Sequence, residues 1–287
     1  LGTVLNIILD PIFIFELDSF GGIGFGLGIA GAAMATVISQ VVVFLIFIVM
    51  LFFKDHSYIS FNLNDFKFST EILWDIIKVG LPASLSMIVM AVGQGVFNKI
   101  LVHISVETVA AYQVAGRLDM LVFLPIFSIA ASLTTLVGMF YGAKEFEALR
   151  FTIRYGIISA LIITIFSSAL VYIFADQVVR FFTEDESIVL IAVNFLQIFT
   201  FAYPFIAVGI TTGRVLQGLG KGLPVLVITI VRVLGVSAPL ALFFVFIMEK
   251  SVEWVWYSMM LSTVVAFAIG LTWLVSTIKK LPVKKSD

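Results

Sequence analysis

The sequence predicts an all-α polytopic membrane protein, a helical bundle with about eight transmembrane helices, and three observations support that class. Of the 287 residues, 61% are hydrophobic and only 12% are charged. The mean hydropathy is +1.16, which soluble domains do not sustain without aggregating. The apolar stretches reach the ~20 residues needed to cross a hydrocarbon core, and they lack the period-two alternation of membrane β-strands.

The apolar stretches divide the chain into spans, lobes and a linker. We predict spans at 1–15, 28–53, 79–104, 108–140, 152–175, 188–216, 223–247 and 252–278. Residues 1–53 are assigned to the end of one lobe and residues 79–287 to a second, six-helix lobe. Residues 54–78 form a cytoplasmic linker, and its second half predicts a short amphipathic helix that begins at the N-cap Ser69 and turns into the bilayer near Pro82.

Lysine and arginine are unevenly distributed between alternate connections. Twelve lie in one set of connections, whereas only Lys99, Arg180 and Lys250 lie in the other. The positive-inside rule assigns the richer set to the cytoplasm. We therefore expect a multi-pass protein of the plasma membrane with a cytoplasmic C-terminus.

Asn6 and Asp10 lie four residues apart within the first apolar stretch. That spacing places both side chains on one helix face, and Pro11 cannot donate a hydrogen bond to the carbonyl of Ile7. An acid inside a membrane is costly, so it marks a functional site by default. The carboxylate, the amide and the freed carbonyl together suit a proton or a small hard cation such as sodium.

Several other patterns argue against enzymes and nucleic-acid binding. The chain has no cysteine, and His56 and His103 have no metal-ligand partner at helical spacing. The G-x-G-x-x-G at 26–31 opens a membrane helix without a preceding strand, which indicates helix packing and not a nucleotide site. We predict no enzyme activity, no resident cofactor and no nucleic-acid partner.

Five motifs, in order along the chain, resemble one family of transporters. They are Asn-x-x-x-Asp-Pro at 6–11, Gly-Ile-Ala-Gly-Ala-Ala-Met-Ala-Thr at 28–36, Gly-Leu-Pro-Ala at 80–83, Ala-Ala-Tyr-Gln at 110–113 and Leu-Gln-Gly-Leu-Gly-Lys at 216–221. In order and spacing they resemble multidrug and toxic compound extrusion (MATE) transporters. The resemblance runs from the fifth to the twelfth helix of that family and covers nearly the whole chain.

The resemblance implies twelve helices in two six-helix lobes around a cavity that opens alternately to either side. We therefore expect this chain to be a C-terminal fragment, preceded by about four further helices, a number that an approximate match of Pro11 with Pro239 also suggests. The implied function is a proton- or sodium-coupled antiporter that exports amphipathic, cationic drugs. Its expected partners are the small-molecule substrate and the lipid bilayer, and the full-length protein is expected to be a monomer.

The resemblance also implies where the coupling cation binds. One branch of the family uses carboxylates in the seventh and tenth helices, but 79–104 and 188–216 contain no Asp or Glu except near their ends. The other branch uses an Asp on the first helix, Asn and Asp on the fifth helix, and Thr on the sixth. Asn6, Asp10 and Thr36 match three of those four positions, so they are the candidate proton- or sodium-binding residues. The Asp of the first helix is expected in the part of the protein that precedes this chain.

A second set of residues is predicted to line the substrate cavity. Gln113 and Arg117 share one helix face, and Arg117 could either line a cavity or snorkel to the membrane surface. Asp119, two residues further on, faces another direction and is not expected to pair with Arg117. Arg232 lies about nine residues from the inner end of its helix, where it could line the cavity and help to close its inner gate, or could snorkel to the membrane surface. The remaining candidates are Met87, Met90, Phe97, Tyr203 and Phe205.

Three alternative functions remain open at this stage. A lipid-linked oligosaccharide flippase of the same superfamily would need several Arg or Lys in its cavity, and only Arg117 and Arg232 are available. A non-transporting membrane scaffold would have no need of a buried titrating group such as Asp10. A channel would lack stoichiometric coupling.

Overall fold

The computed structural model describes residues 1–16, 24–52 and 68–282. Within those residues the structure is helical, and its sole β feature is an isolated bridge between Glu16 and Phe25. The chain separates into two compact units, Leu1–Phe68 and Ser69–Asp287. The part of the predicted linker up to residue 67 lies outside the described residues.

The first unit is a pair of helices, α1 (Gly2–Ile14) and α2 (Gly28–Phe52), which pack against each other. A Cβ atom at Gly31 would overlap the carbonyl oxygen of Phe13, so only glycine permits this close approach. At its 13 residues, α1 spans about 20 Å, less than a hydrocarbon core of about 30 Å. α1 covers most of the predicted span at 1–15 as an apolar helix, and α2 is long enough to cross a membrane.

The second unit is a helical bundle. Its helices are α3 (Thr70–Ile104), α4 (Val106–Gly142), α5 (Phe146–Ile173), α6 (Ala175–Arg180), α7 (Glu186–Phe199), α8 (Tyr203–Gly218), α9 (Leu223–Ile230), α10 (Ala238–Leu242) and α11 (Glu253–Lys279). In the described part of the chain, seven helical stretches are long and apolar enough to cross a membrane. Six of them belong to this unit, which agrees with the number of spans predicted after residue 79.

One helix extends further than the sequence predicts. α3 continues from Thr70 to Ile104, so the amphipathic segment and the following span form one helix with Pro82 inside it. Ser69 caps this helix as predicted, because its hydroxyl accepts a hydrogen bond from the Ile72 N–H at 3.3 Å. A proline removes one backbone hydrogen bond, but the helix continues without interruption on both sides of Pro82.

Two other prolines coincide with departures from α-helical geometry. A 3₁₀ turn at Thr200–Ala202 separates α7 from α8 and directly precedes Tyr203 and Pro204. Two π-helical stretches, Val231–Ser237 and Phe243–Ile247, flank α10, which contains Pro239. Such local widening and tightening accommodates the missing N–H of each proline within a long span.

The core of the second unit follows α4, which packs on α5, α7 and α8. Three clusters of buried side chains succeed one another along it, around Ala115, Phe123 and Leu133. α4 and α8 approach closely where a Cβ atom at Gly218 would lie 2.7 Å from the Thr134 carbonyl oxygen. Small residues at a helix crossing are a usual way to gain contact area inside a membrane.

Candidate functional site

Three polar side chains of the first unit meet between α1 and α2. The Asn6 amide nitrogen donates to Asp10 Oδ1 at 3.2 Å along the same helix. The same nitrogen lies 3.5 Å from Thr36 Oγ1 on α2, which is the outer limit of a hydrogen bond. The structure therefore brings together Asn6, Asp10 and Thr36, the three residues predicted as a cation or proton site.

The hydroxyl of Thr36 also bonds its own helix. Thr36 Oγ1 donates to the carbonyl of Ala32 at 3.0 Å, so its lone pairs face Asn6 as acceptors. With its nitrogen committed to Asp10 and Thr36, Asn6 keeps its carbonyl oxygen for another partner. The cluster thus offers carboxylate, amide and hydroxyl oxygens, which are ligands that a proton or a hard cation accepts.

Asp10 has no salt bridge among the described residues. Both salt bridges found among the described residues involve Arg180, which contacts Asp176 at 2.9 Å and Glu186 at 2.7 Å. In the same residues, no group of three or more His, Cys, Asp or Glu side chains could hold a metal ion. A bound cation at Asp10 would therefore depend on the oxygens of Asn6 and Thr36 for its further ligands.

The second unit contains a cavity of about 360 Å³. Its lining combines amides, one acid, one base, aromatic rings and methionines: Gln94, Tyr112, Gln113, Gly116, Arg117, Asp119, Met120, Phe195, Phe199 and Met259. These residues come from α3, α4, α7 and α11. A larger groove of about 540 Å³ follows α11 at Ala268–Ser276, but all of its lining residues belong to that one helix. The mixed cavity is therefore the better candidate for ligand binding.

Asp119 is held in the wall of this cavity by a tyrosine from another helix. The hydroxyl of Tyr203 donates to Asp119 Oδ1, and the Tyr203 side chain is fully buried in the middle core cluster. The ring of Tyr203 packs edge-on against Phe123 at 5.1 Å and Phe199 at 6.1 Å. Packing fixes the tyrosine, and the tyrosine in turn fixes the carboxylate.

The residues predicted to line a cavity occupy three kinds of place. Gln113 and Arg117 line the cavity just described, and the Gln113 amide nitrogen donates to Asn98 Oδ1 at 3.3 Å. Tyr203 lies behind its wall. The other five predicted residues do not line the cavity. Met87 and Met90 are exposed, and Arg232 is half-buried in a π-helical stretch. Phe97 is buried in the core, and Phe205 packs on Phe267.

Asp119 is the residue that the sequence-based site prediction missed. It lies in the interior of a long apolar helix, so the default interpretation of an intramembrane acid applies to it as it does to Asp10. Its partner is 84 residues away along the chain, and no local pattern joins the two. The apolar sequence around Asp119 could thus have marked it as a candidate site residue, whereas its contact with Tyr203 could not have been predicted from the sequence.

The chain is similar to known transport proteins. The model of the MatE family matches residues 82–243. The chain is 28% identical over 280 residues to a probable multidrug resistance protein NorM of Thermotoga maritima, covering 96% of this chain and 58% of that protein. It is 31% identical over 218 residues to the multidrug export protein MepA of Staphylococcus aureus, covering 76% of this chain and 46% of that protein.

A solved structure agrees with these relatives. It shows an outward-facing conformation of a multidrug resistance MATE family transporter of the MOP superfamily. Its TM-score to this chain is 0.90 at 34% sequence identity, and the match covers 100% of this chain and 62% of the solved one. The chain thus spans about half to three fifths of the length of the proteins it matches.

Proposed function

The chain belongs to the MatE family, and from that premise we propose that the protein is a cation-coupled antiporter that exports amphipathic, cationic compounds. The coupling ion is a proton or sodium, in keeping with the use of ion gradients by transporters of this family. The protein is a multi-pass membrane protein of this type. We further propose that it is a plasma-membrane monomer with a cytoplasmic C-terminus.

The single observation that carries this proposal is the contact between Asn6, Asp10 and Thr36 across α1 and α2. A proton or sodium ion at Asp10 neutralises its carboxylate. Because Asn6 contacts both other members of the cluster, a change at Asp10 is transmitted to α2 as well as α1. The cation thereby favours one conformation of an alternating-access cycle, and the substrate favours another.

The cavity of the second unit supports an antiporter over a flippase for anionic oligosaccharides. Among the described residues, Arg117 is the one basic residue that lines the cavity, and the acid Asp119 lines it too. An anionic substrate would require a net positive lining. The aromatic and methionine side chains of the same cavity instead suit an apolar or amphipathic compound.

The test is efflux of a fluorescent organic cation from proteoliposomes, with the protein expressed as its gene encodes it and with an imposed proton or sodium gradient. Asp10→Asn should abolish gradient-driven efflux and leave folding nearly intact, because the amide keeps the shape of the carboxyl group but neither titrates nor supplies a negative charge for a cation. Asp75→Asn, which removes an exposed acid of α3, is the matched control and should transport normally.

Two outcomes decide the proposal. Loss of the gradient response in Asp10→Asn, with the organic cation still bound, places Asp10 on the cation side of the cycle. Undiminished gradient-driven efflux by the same variant would contradict a coupling role for Asp10.

A further inference from the structure

The coupling role proposed for Asp10 leaves a second membrane-embedded acid without a function. Asp119 lies in the interior of α4 and contributes to the wall of the 360 Å³ cavity. An acid in such a place is costly, so it persists where it has a task. We therefore ask which group interacts with the Asp119 carboxylate.

The described structure holds the Asp119 carboxyl group in place with a hydroxyl group and not with a basic side chain. Tyr203 donates a single hydrogen bond to Oδ1. Arg117 lines the same cavity from the same helix, yet both salt bridges found among the described residues belong to Arg180. A tyrosine hydroxyl orients an anion but supplies no positive charge. Within the described structure, the counter-charge of Asp119 is therefore left for a ligand to provide.

The rest of the cavity wall is suited to the remainder of such a ligand. Phe195 and Phe199 stack with ring centroids 4.9 Å apart, and Tyr112 meets Phe195 edge-on at 5.7 Å. Aromatic faces attract cations and pack against flat apolar rings. Met120 and Met259 add adaptable apolar surface. A volume of about 360 Å³ accommodates an aromatic compound of a few rings.

We propose that Asp119 anchors the positively charged group of the substrate, an aromatic compound that bears an ammonium or similar cation, with Tyr203 as its positioning residue. This inference rests on the proposed function, because it specifies where the exported organic cation binds. It assigns the two acids different tasks: Asp10 receives the coupling ion, and Asp119 receives the substrate.

The test compares two probes of the same shape and different charge. One is trimethyl(naphthylmethyl)ammonium, and the other is neopentylnaphthalene, in which carbon replaces the charged nitrogen. Binding is measured on the purified full protein in lipid nanodiscs without any gradient. The unaltered protein should bind the ammonium at least about tenfold more tightly than the neutral probe. In Asp119→Asn the two affinities should become equal within about threefold.

Two further variants separate charge from structure. Tyr203→Phe keeps the carboxylate but removes the hydrogen bond that positions it, so the preference for the ammonium should fall without disappearing, and binding of the neutral probe should change little. Asp75→Asn removes an exposed acid that does not line the cavity and should leave the preference unchanged. Because both probes are measured on the same protein, partial loss of folded material lowers both signals and leaves their ratio intact.

A second measurement needs no substitution at Asp119, should that variant fail to fold. A diazirine derivative of the ammonium probe, irradiated on the unaltered protein, should label cavity residues of α4 and α7 such as Met120 and Phe199. Labelling confined to residues outside the cavity would overturn the proposal. So would an Asp119→Asn protein that still prefers the ammonium by tenfold.

The two proposals fail in distinguishable ways. In the first case, the Asp119→Asn variant loses the preference for the ammonium, but the Asp10→Asn variant still couples efflux to a gradient. This result contradicts the proposed coupling site and supports the substrate anchor. The opposite pattern contradicts only the substrate anchor.

Discussion

The two units hold their acids in different ways. Asp10 of the first unit is bonded to Asn6, four residues away on the same helix. Asp119 of the second unit is bonded to Tyr203, 84 residues away on a different helix. The first contact survives wherever α1 is helical, whereas the second exists only if α4 and α8 are packed. The partner of Asp10 is therefore supplied by helix geometry and that of Asp119 by tertiary packing, although Thr36 reaches the first site only through the packing of α1 on α2.

The largest expected effect comes from breaking the support of the first site. Gly31→Ala should separate α1 from α2, because the new methyl group meets the Phe13 carbonyl, and a rigid backbone atom cannot yield as a side chain can. Overpacking of this kind costs about 1–3 kcal/mol. We expect a lower midpoint in detergent-induced unfolding and loss of coupled efflux. Gly95→Ala is the matched control, since a Cβ atom there has no neighbour within 4 Å, and it should change neither quantity.

The corresponding change in the second unit is Tyr203→Phe. It removes the hydrogen bond to Asp119 and leaves a carboxylate in an apolar wall, at a cost of about 1.5–3 kcal/mol of unfolding free energy. Asp119→Asn should cost less, because the amide oxygen still accepts from Tyr203. Equilibrium unfolding measures both. Tyr257→Phe, at a half-exposed tyrosine, serves as the control, and equal effects of all three substitutions would show that the contact contributes nothing.

The members of the first cluster should differ in importance. Asn6→Ala should reduce coupled efflux severalfold without abolishing it, because Asn6 orients the Asp10 carboxylate at 3.2 Å but carries no charge. Thr36→Val should have a smaller effect, since its contact with Asn6 is 3.5 Å long and its hydroxyl is already bonded to Ala32. Initial efflux rates under one fixed gradient rank the two. A larger defect in Thr36→Val than in Asn6→Ala would reverse the proposed order of roles.

A third carboxylate, that of the exposed Asp185, should have the smallest effect. Asp185 precedes α7 and is exposed, and hydrogen bonds from the Ser187 hydroxyl and the N–H groups of Ser187 and Ile188 hold its pKa below the usual range. A lowered pKa stabilises the folded state above the ordinary aspartate pKa, and that contribution is lost as the pH falls through the folded value. The protection of the Ser187 and Ile188 amides against hydrogen exchange, measured relative to their intrinsic rates at each pH, should therefore fall in acid. Asp185→Asn should show no such pH dependence, because asparagine caps a helix without titrating.

What could be predicted from the sequence follows the same division between local and tertiary features. Apart from α3, the ends of the long spans were predicted to within six residues, because hydropathy is read along the chain, and the Asn6–Asp10 spacing needs only a helix. The continuity of α3 through Pro82 was not predicted, since the effect of a proline depends on its surroundings. The 3₁₀ turn at Thr200–Ala202 was missed for the same reason. Asp119 shared the apolar setting of Asp10, but its partner is recognisable only once α4 and α8 are packed together.

The most direct test of the central claim, that Asp10 exchanges a cation for the substrate, is to drive the cycle with the substrate alone. Proteoliposomes are loaded with the organic cation and diluted into buffer without any proton or sodium gradient, and ion entry is followed with an internal pH dye or with radioactive sodium. Coupling is reciprocal in free energy, so substrate leaving should pull the coupling ion inward. We expect ion entry with the unaltered protein and none with Asp10→Asn. Equal ion entry in both proteins, or substrate exit from the unaltered protein without any ion entry, would contradict it.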